Sequence, residues 1–225
     1  ADEGVVRFRG AERQIDSPAA GRALGIAMIY QELTLAPHLD AETNIMLGIE
    51  RTRLGFVRPE RERVREALAL LRHADLPLDI PVRRLGIGQR QIVEIARALV
   101  SNASLIIMDE PTSSLSAEET EALFEAIGRL KRAGIAIIYI SHFLEEVARV
   151  ADSYTVLRDG ESVGSGPIAG TAIGRLVELM VGRTLREMFP RVEHDLGEEV
   201  LRVEGLEGVP LPRGVALSLR AGEIF

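Results

Sequence analysis

The chain has 225 residues, 46% of them hydrophobic and 27% charged, which is enough for one full domain and a piece of another. Its 34 acidic and 27 basic side chains give a net charge of −7, which offers no broad basic face and argues against duplex nucleic acid as a main partner. Cysteine is absent, which excludes disulfides and thiolate metal sites, and the longest apolar runs are strand-length, so membrane association is expected only through partner subunits.

Residues 1–10 are charged and do not read as a signal peptide. Residues 5–8 read as a strand, and Ser17-Pro18 as the cap and first-turn proline of a short helix closed by Gly25. Residues 26–30 are apolar and β-branched enough for a buried strand. From 36 to 100 the pattern is helical without clear strands, which suggests an inserted helical subdomain, with residues 59–73 at helical spacing and Ile92, Val93, Ala96, Leu99 and Val100 on one face of its last helix. Leu105-Ile106-Ile107-Met108 predicts a central parallel strand buried on both faces.

Ser116 with Glu119 forms a capping box for a helix running to about Ala133, closed by Gly134. Residues 135–140 predict the next buried strand, 143–150 a short helix, and 154–163 a hairpin about Asp159-Gly160. Residues 171–181 predict a last helix, 182–199 a polar linker, and 200–204 and 215–219 two further strands. A lone pair of strands buries no core, so residues 200–225 read as the opening of a second domain.

Asp109-Glu110-Pro111 follows the central strand, and the carboxyl ends of parallel strands are where α/β sheets bind ligands. Asp109 is a candidate Mg²⁺ ligand and Glu110 a candidate for polarising a water for attack on a phosphate. Leu85-Gly86-Ile87-Gly88-Gln89 opens a helix, and two glycines there let backbone N–H groups approach an anion, although a Gly-x-Gly is also an ordinary turn. Ser141-His142 and Gln31 each follow a predicted strand, and either taken alone reads as a structural residue.

In combination, Gln31, Leu85–Gln89, Asp109-Glu110, Ser114-Leu115-Ser116 and His142 resemble, in order and spacing, the nucleotide-binding domain of ABC transporters. The resemblance covers nearly the whole chain and is nearest to the double-domain ATPase subunits of sugar importers. It implies an α/β fold, a RecA-like P-loop NTPase core with an inserted helical subdomain at about 36–100. Residues 1–181 would form the first nucleotide-binding domain, and 200–225 the start of the second. It implies ATP and Mg²⁺ as cofactors, with Gln31 as the Q-loop glutamine near the metal, Asp109 as the Walker B aspartate and Glu110 as the general base. His142 would be the switch histidine at the γ-phosphate. Leu85, Gly86, Ile87, Gly88 and Gln89 would be the signature motif, acting across a head-to-tail sandwich of two nucleotide-binding domains, and Ser114 and Ser116 would lie in the loop linking the two composite sites.

The implied partners are transmembrane permease subunits, and the implied location is cytoplasmic, at the inner face of the plasma membrane. Rival readings are a soluble ABC ATPase of another pathway and a non-catalytic regulatory module.

Three departures qualify the resemblance. Gly86 stands where the family usually has a serine that bonds the γ-phosphate, and a lost donor to a charged group costs roughly 1.5–3 kcal/mol. Ser116 stands where many members have aspartate. No Gly-x-x-x-x-Gly-Lys-Ser/Thr loop occurs, and Lys131, the only lysine, lies in no glycine-rich loop. The expectation is a fragment lying between two phosphate loops, with very weak ATP hydrolysis or none on its own.

Overall fold

The structure is a computed structural model and describes residues 4–50, 52–53, 56–57, 60–182 and 195–225. Most of the predicted linker at 182–199 therefore lies outside the described residues. The chain divides into two compact units, Ala1–Leu176 and Val177–Phe225.

Unit 1 opens with a hairpin of β1 (Val6–Phe8) and β2 (Ala11–Arg13), whose turn has Arg9 at φ 52° and Gly10 at φ 76°. The sequence reading had only the first strand, because three residues of β2 are too few to show alternation. Helix α1 (Pro18–Ala23) starts as predicted, with the Ser17 hydroxyl accepting from the Ala20 N–H. Strand β3 (Ile26–Ile29) follows, then α2 (Ala41–Met46), capped by Asp40.

The stretch from 36 to 100 is not strand-free. A small hairpin, β4 (Thr52–Arg53) with β5 (Phe56–Val57), interrupts it before α3 (Arg61–Leu70), a 3₁₀ turn at Val82–Arg84 and α4 (Ile87–Val100). Two-residue strands leave no periodicity to detect.

Strand β6 (Leu105–Asp109) leads to α5 (Ala117–Arg132), whose capping box is formed. The Glu119 N–H donates to the Ser116 hydroxyl at 3.3 Å, and the Glu119 carboxylate accepts from the Ser116 N–H at 2.9 Å. Next come β7 (Ala136–Ile140), α6 (Leu144–Val150) and a hairpin of β8 (Ser153–Arg158) with β9 (Glu161–Pro167). That hairpin turns on Asp159 at φ 53° and Gly160 at φ 83°, a conformation for which the Asp-Gly pair is suited. Helix α7 (Ile173–Val181) spans the division between the units. Unit 2 contains the antiparallel pair β10 (Glu199–Leu206) and β11 (Val215–Arg220).

The central sheet has the order β3-β6-β7, all parallel, with Ile29 level with Met108, Met108 level with Tyr139, and Asp109 level with Ile140. One face carries Ile29, Ile106 and Met108 into a core shared with Ile45, Leu68 and Ile95. The other face is open, contrary to the expectation of strands buried on both faces. Met28 is 42% exposed, Ile138 47% and Ile140 44%. The apolar run in the sequence is real, but only alternate residues of it are covered here.

Candidate active site

The register of the sheet brings three strand ends to one level, and each is followed by a polar residue. Gln31 comes two residues after β3, Glu110 directly after β6, and His142 two residues after β7. The Glu110 N–H donates to the Ile140 carbonyl at 2.9 Å, which turns the chain out of the sheet with Glu110 at φ 43°. A non-glycine residue in that left-handed region carries about 1 kcal/mol or more of strain, and such strain collects at functional sites.

The Glu110 carboxylate is gripped from both sides. Gln31 Nε2 donates to Oε2 at 3.2 Å, and His142 Nδ1 lies 2.9 Å from Oε1. An ionised carboxylate only accepts, so Nδ1 carries the hydrogen in that bond and Nε2 is the ring nitrogen left to meet a ligand. The imidazole also lies against the Phe143 ring, with centroids 4.1 Å apart. Asp109, the last residue of β6, directly precedes Glu110 and is level with Ile140. Thus four of the predicted residues, Gln31, Asp109, Glu110 and His142, gather at one sheet edge.

Leu85, Gly86, Ile87, Gly88 and Gln89 lie elsewhere, at the start of α4. Leu85 is buried, while Gly86, Ile87 and Gln89 are exposed. No hydrogen bond among the described residues joins this segment to Glu110 or His142. Its two glycine N–H groups are engaged within the protein. Gly86 donates to Gln89 Oε1 at 3.1 Å, and Gly88 to Glu119 Oε1 at 2.9 Å. The N–H groups of Ile87 and Gln89 are thereby the ones without a protein acceptor among the described residues.

Glu119 therefore links two predicted segments that the sequence kept apart. One carboxylate oxygen caps the start of α4, and the other caps Ser116 beside the exposed Ser114. The Ser116 and Gly88 N–H groups hold the Glu119 carboxyl below its ordinary value. A Cβ on Gly88 would come within 2.9 Å of Glu119 Cγ, so a side chain there would displace the Glu119 carboxylate. The capping box made Glu119 visible in the sequence, but its second partner is 31 residues away.

Two further carboxylates escaped the sequence reading. Glu146 Oε2 accepts from Tyr139 Oη at 2.7 Å and Thr112 Oγ1 at 2.8 Å, tying the turn after β6 to β7 and α6. Burial, and then the Glu146 bond, push the Tyr139 phenol well above its ordinary value. Glu94, buried on α4, accepts from the N–H and hydroxyl of Thr34 at 2.8 and 3.0 Å, anchoring the loop that follows Gln31. Nothing in the local pattern at Glu94 or Glu146 marks them, since both sit in ordinary helical stretches.

The ABC transporter family profile matches residues 1–113, half of the chain. The chain belongs to the ABC transporter family.

The chain is 43% identical over 224 residues to a ribose import ATP-binding protein RbsA 3 of Rubrobacter xylanophilus, covering 99% of this chain and 45% of that protein. It is 42% identical over 233 residues to a xylose import ATP-binding protein XylG of Ralstonia nicotianae, covering 99% of this chain and 45% of that protein. The chain thus spans less than half the length of these relatives. Among solved structures, a nucleotide-free ATP-binding cassette from an ABC transporter matches with a TM-score of 0.66 at 25% identity, over 80% of this chain and 77% of that one. A dimeric post-hydrolysis ABC cassette bound to ADP and Pi matches at a TM-score of 0.60 and 25% identity, over 75% of each chain. The α/β architecture is therefore that of an ABC ATPase cassette.

Proposed function

We propose that this ABC-family chain is the nucleotide-handling part of a bacterial importer subunit that couples ATP hydrolysis to uptake of a pentose-type sugar. The observation that carries the reading is the Glu110 carboxylate held between Gln31 and His142 beside Asp109. The names of the ribose and xylose relatives, matched along 99% of the chain, supply the substrate class. Permease subunits in the cytoplasmic membrane and a second nucleotide-binding domain are the partners this reading requires. No described helix is long and apolar enough to cross a membrane.

In this reading Glu110 orients and deprotonates the attacking water, and Gln31 and His142 keep its two oxygens from swinging away. With Nδ1 engaged by Glu110, His142 would present Nε2 to the γ-phosphate. Asp109 and Gln31 would hold Mg²⁺. No group of three or more acidic or histidine side chains among the described residues encloses a metal, which suits an ion bound by one or two protein ligands plus phosphate oxygens and water. Such an ion, when bound, neutralises charge on the phosphates as the bond to the leaving group breaks. Leu85–Gln89 would meet nucleotide held by the opposite domain through the N–H groups of Ile87 and Gln89, with Gly86 contributing no hydroxyl. Ser116, tied to that motif by Glu119, and the nearby Ser114 would relay between the two sites.

The phosphate cradle is not among these 225 residues, since the sequence has no glycine-rich loop ending in lysine. The chain alone is therefore expected to hydrolyse ATP very weakly or not at all. A clear metal-dependent turnover by the chain alone that disappears in Glu110→Gln would overturn this. Capture of permease subunits, against ribosomes or DNA in parallel, tests the transport assignment, and retention of ribosomes or DNA alone would refute it.

A further inference from the structure

We propose that a groove between α5, α6 and the end of α3 is a binding site for a small phosphate-bearing anion, separate from the sheet edge that carries Glu110. The groove is open to solvent and offers about 500 Å³, within the range of small-molecule sites. Arg72, Arg129, Lys131, Arg132 and Arg149 line it, a concentration of cations on a chain whose net charge is −7.

The carboxylates in and around the groove offset three of these five cations and leave two. Glu121 is paired with Arg149 at 2.5 Å and Glu125 with Arg129 at 3.2 Å, while Lys131 is paired with Asp152 at 2.5 Å. The guanidinium groups of Arg72 and Arg132 have no acceptor among the described residues. A ligand carrying two negative charges would neutralise those two forks, and planar guanidinium groups bind phosphate oxygens in bidentate fashion.

Three features that each cost the fold something meet in this one groove. Arg72 sits at φ 61°, the left-handed position after α3 where glycine carries no strain. Gly128 lies in the interior of α5, where it weakens the helix, and it lines the groove beside Arg132, whose Nη1 a Cβ there would meet at 3.6 Å. The Arg129 Nε is buried without an acceptor, although the same side chain donates to the Leu71 carbonyl at 3.0 Å. Backbone strain kept in the wall of a cationic groove points to a site rather than to packing. A concave groove favours a soluble phosphate compound over a lipid surface, which cannot enter it.

The test is calorimetric titration of this chain with sodium pyrophosphate at low ionic strength. The expected result is saturable one-to-one binding that weakens as salt is added. Arg72→Gly and Arg132→Gln should each weaken it about tenfold, equivalent to roughly 1.4 kcal/mol. Arg72→Gly should melt no lower than the wild type, because glycine relieves the left-handed strain, so its loss of binding is not a loss of fold. Arg22→Gln, on α1, should leave binding unchanged. Absence of saturable binding, affinity unaltered in both groove variants, an equal loss in Arg22→Gln, or binding only to phosphatidylglycerol vesicles would each overturn the proposal. Because the readout does not involve ATP hydrolysis, its failure leaves the transporter assignment standing.

Discussion

Gly88 and Glu119 should behave as one energetic unit, and a double-mutant cycle measures it. In Gly88→Ala the new methyl would meet Glu119 Cγ and Oε1 at 2.9 Å. Overpacking of this kind costs about 1–3 kcal/mol, against which the better helix propensity of alanine returns at most about 1 kcal/mol. The single variant should therefore be destabilised. Glu119→Ala removes a carboxylate that accepts two N–H bonds of 2.9 Å, and the loss of such a cap costs about 1–2 kcal/mol. With that side chain gone the methyl of Gly88→Ala has room, so the second substitution should stabilise by about 0.5 kcal/mol or more. The coupling energy should then equal the overpacking term, roughly 1–3 kcal/mol, outside additivity. Equilibrium urea unfolding of the four proteins, followed by far-ultraviolet circular dichroism, gives the number. Effects that add to within about 0.5 kcal/mol would show that Glu119 does not bridge the two helix starts.

The Glu119 bridge also predicts a pH dependence. The folded-state carboxyl titrates below its ordinary value of 4.5, so the native protein binds fewer protons there and stability rises with pH. The advantage of wild type over Glu119→Gln should be full above that value and fade as acid protonates the carboxylate. Equal differences in acid-to-neutral unfolding series would exclude the bridge. Tyr139 has the opposite sign: its phenol is pushed up by burial and by Glu146, so its contribution is complete below the ordinary range near about 10 and is lost only at still higher pH. Alkaline difference spectra of wild type and Tyr139→Phe should coincide through that range, and a missing phenolate step in the variant near pH 10 would contradict the burial. On the open sheet face, Ile138→Thr should lower binding of a hydrophobic dye with little change in stability, about 0.5 kcal/mol or less. Unchanged dye fluorescence would mean that this face is not the exposed apolar surface.

Much of this architecture was legible because its signals are local. The Ser17-Pro18 start, the Ser116–Glu119 capping box and the Asp159-Gly160 turn each encode a backbone conformation within four residues, and all three are formed. The Asp109-Glu110 strand was legible from its unbroken apolar run, but burial was not, since a run of Leu, Ile and Met fits one covered face or two. The hairpin at residues 6–13 and the antiparallel pairing of 52–53 with 56–57 escaped because strands of two or three residues carry no pattern. Within the site, Gln31, Glu110 and His142 were found as single positions after strands, and sheet register supplies what sequence lacks: their common level. The second partner of Glu119 and the roles of Glu94 and Glu146 depend on residues 31, 60 and 34 positions away, so only the folded chain displays them.

The anchoring of the loop after Gln31 has a mechanical consequence. Glu94 and Arg97 both sit on α4, and they hold Thr34 and the carbonyl of Asn44, the latter at 2.8 Å. Asn44 in turn fixes the chain around it through the Ala36, Leu39 and Asp40 carbonyls. Glu94 is buried and its other oxygen lies 3.5 Å from Arg97 Nη1, so the carboxylate that accepts from Thr34 is itself fixed to α4. A push on that loop is therefore passed to a stiff rod rather than absorbed. Gly88 lies six residues, or about 9 Å, along the same rod. The loop beside Gln31 and the Leu85–Gln89 turn are thus attached to one and the same helix.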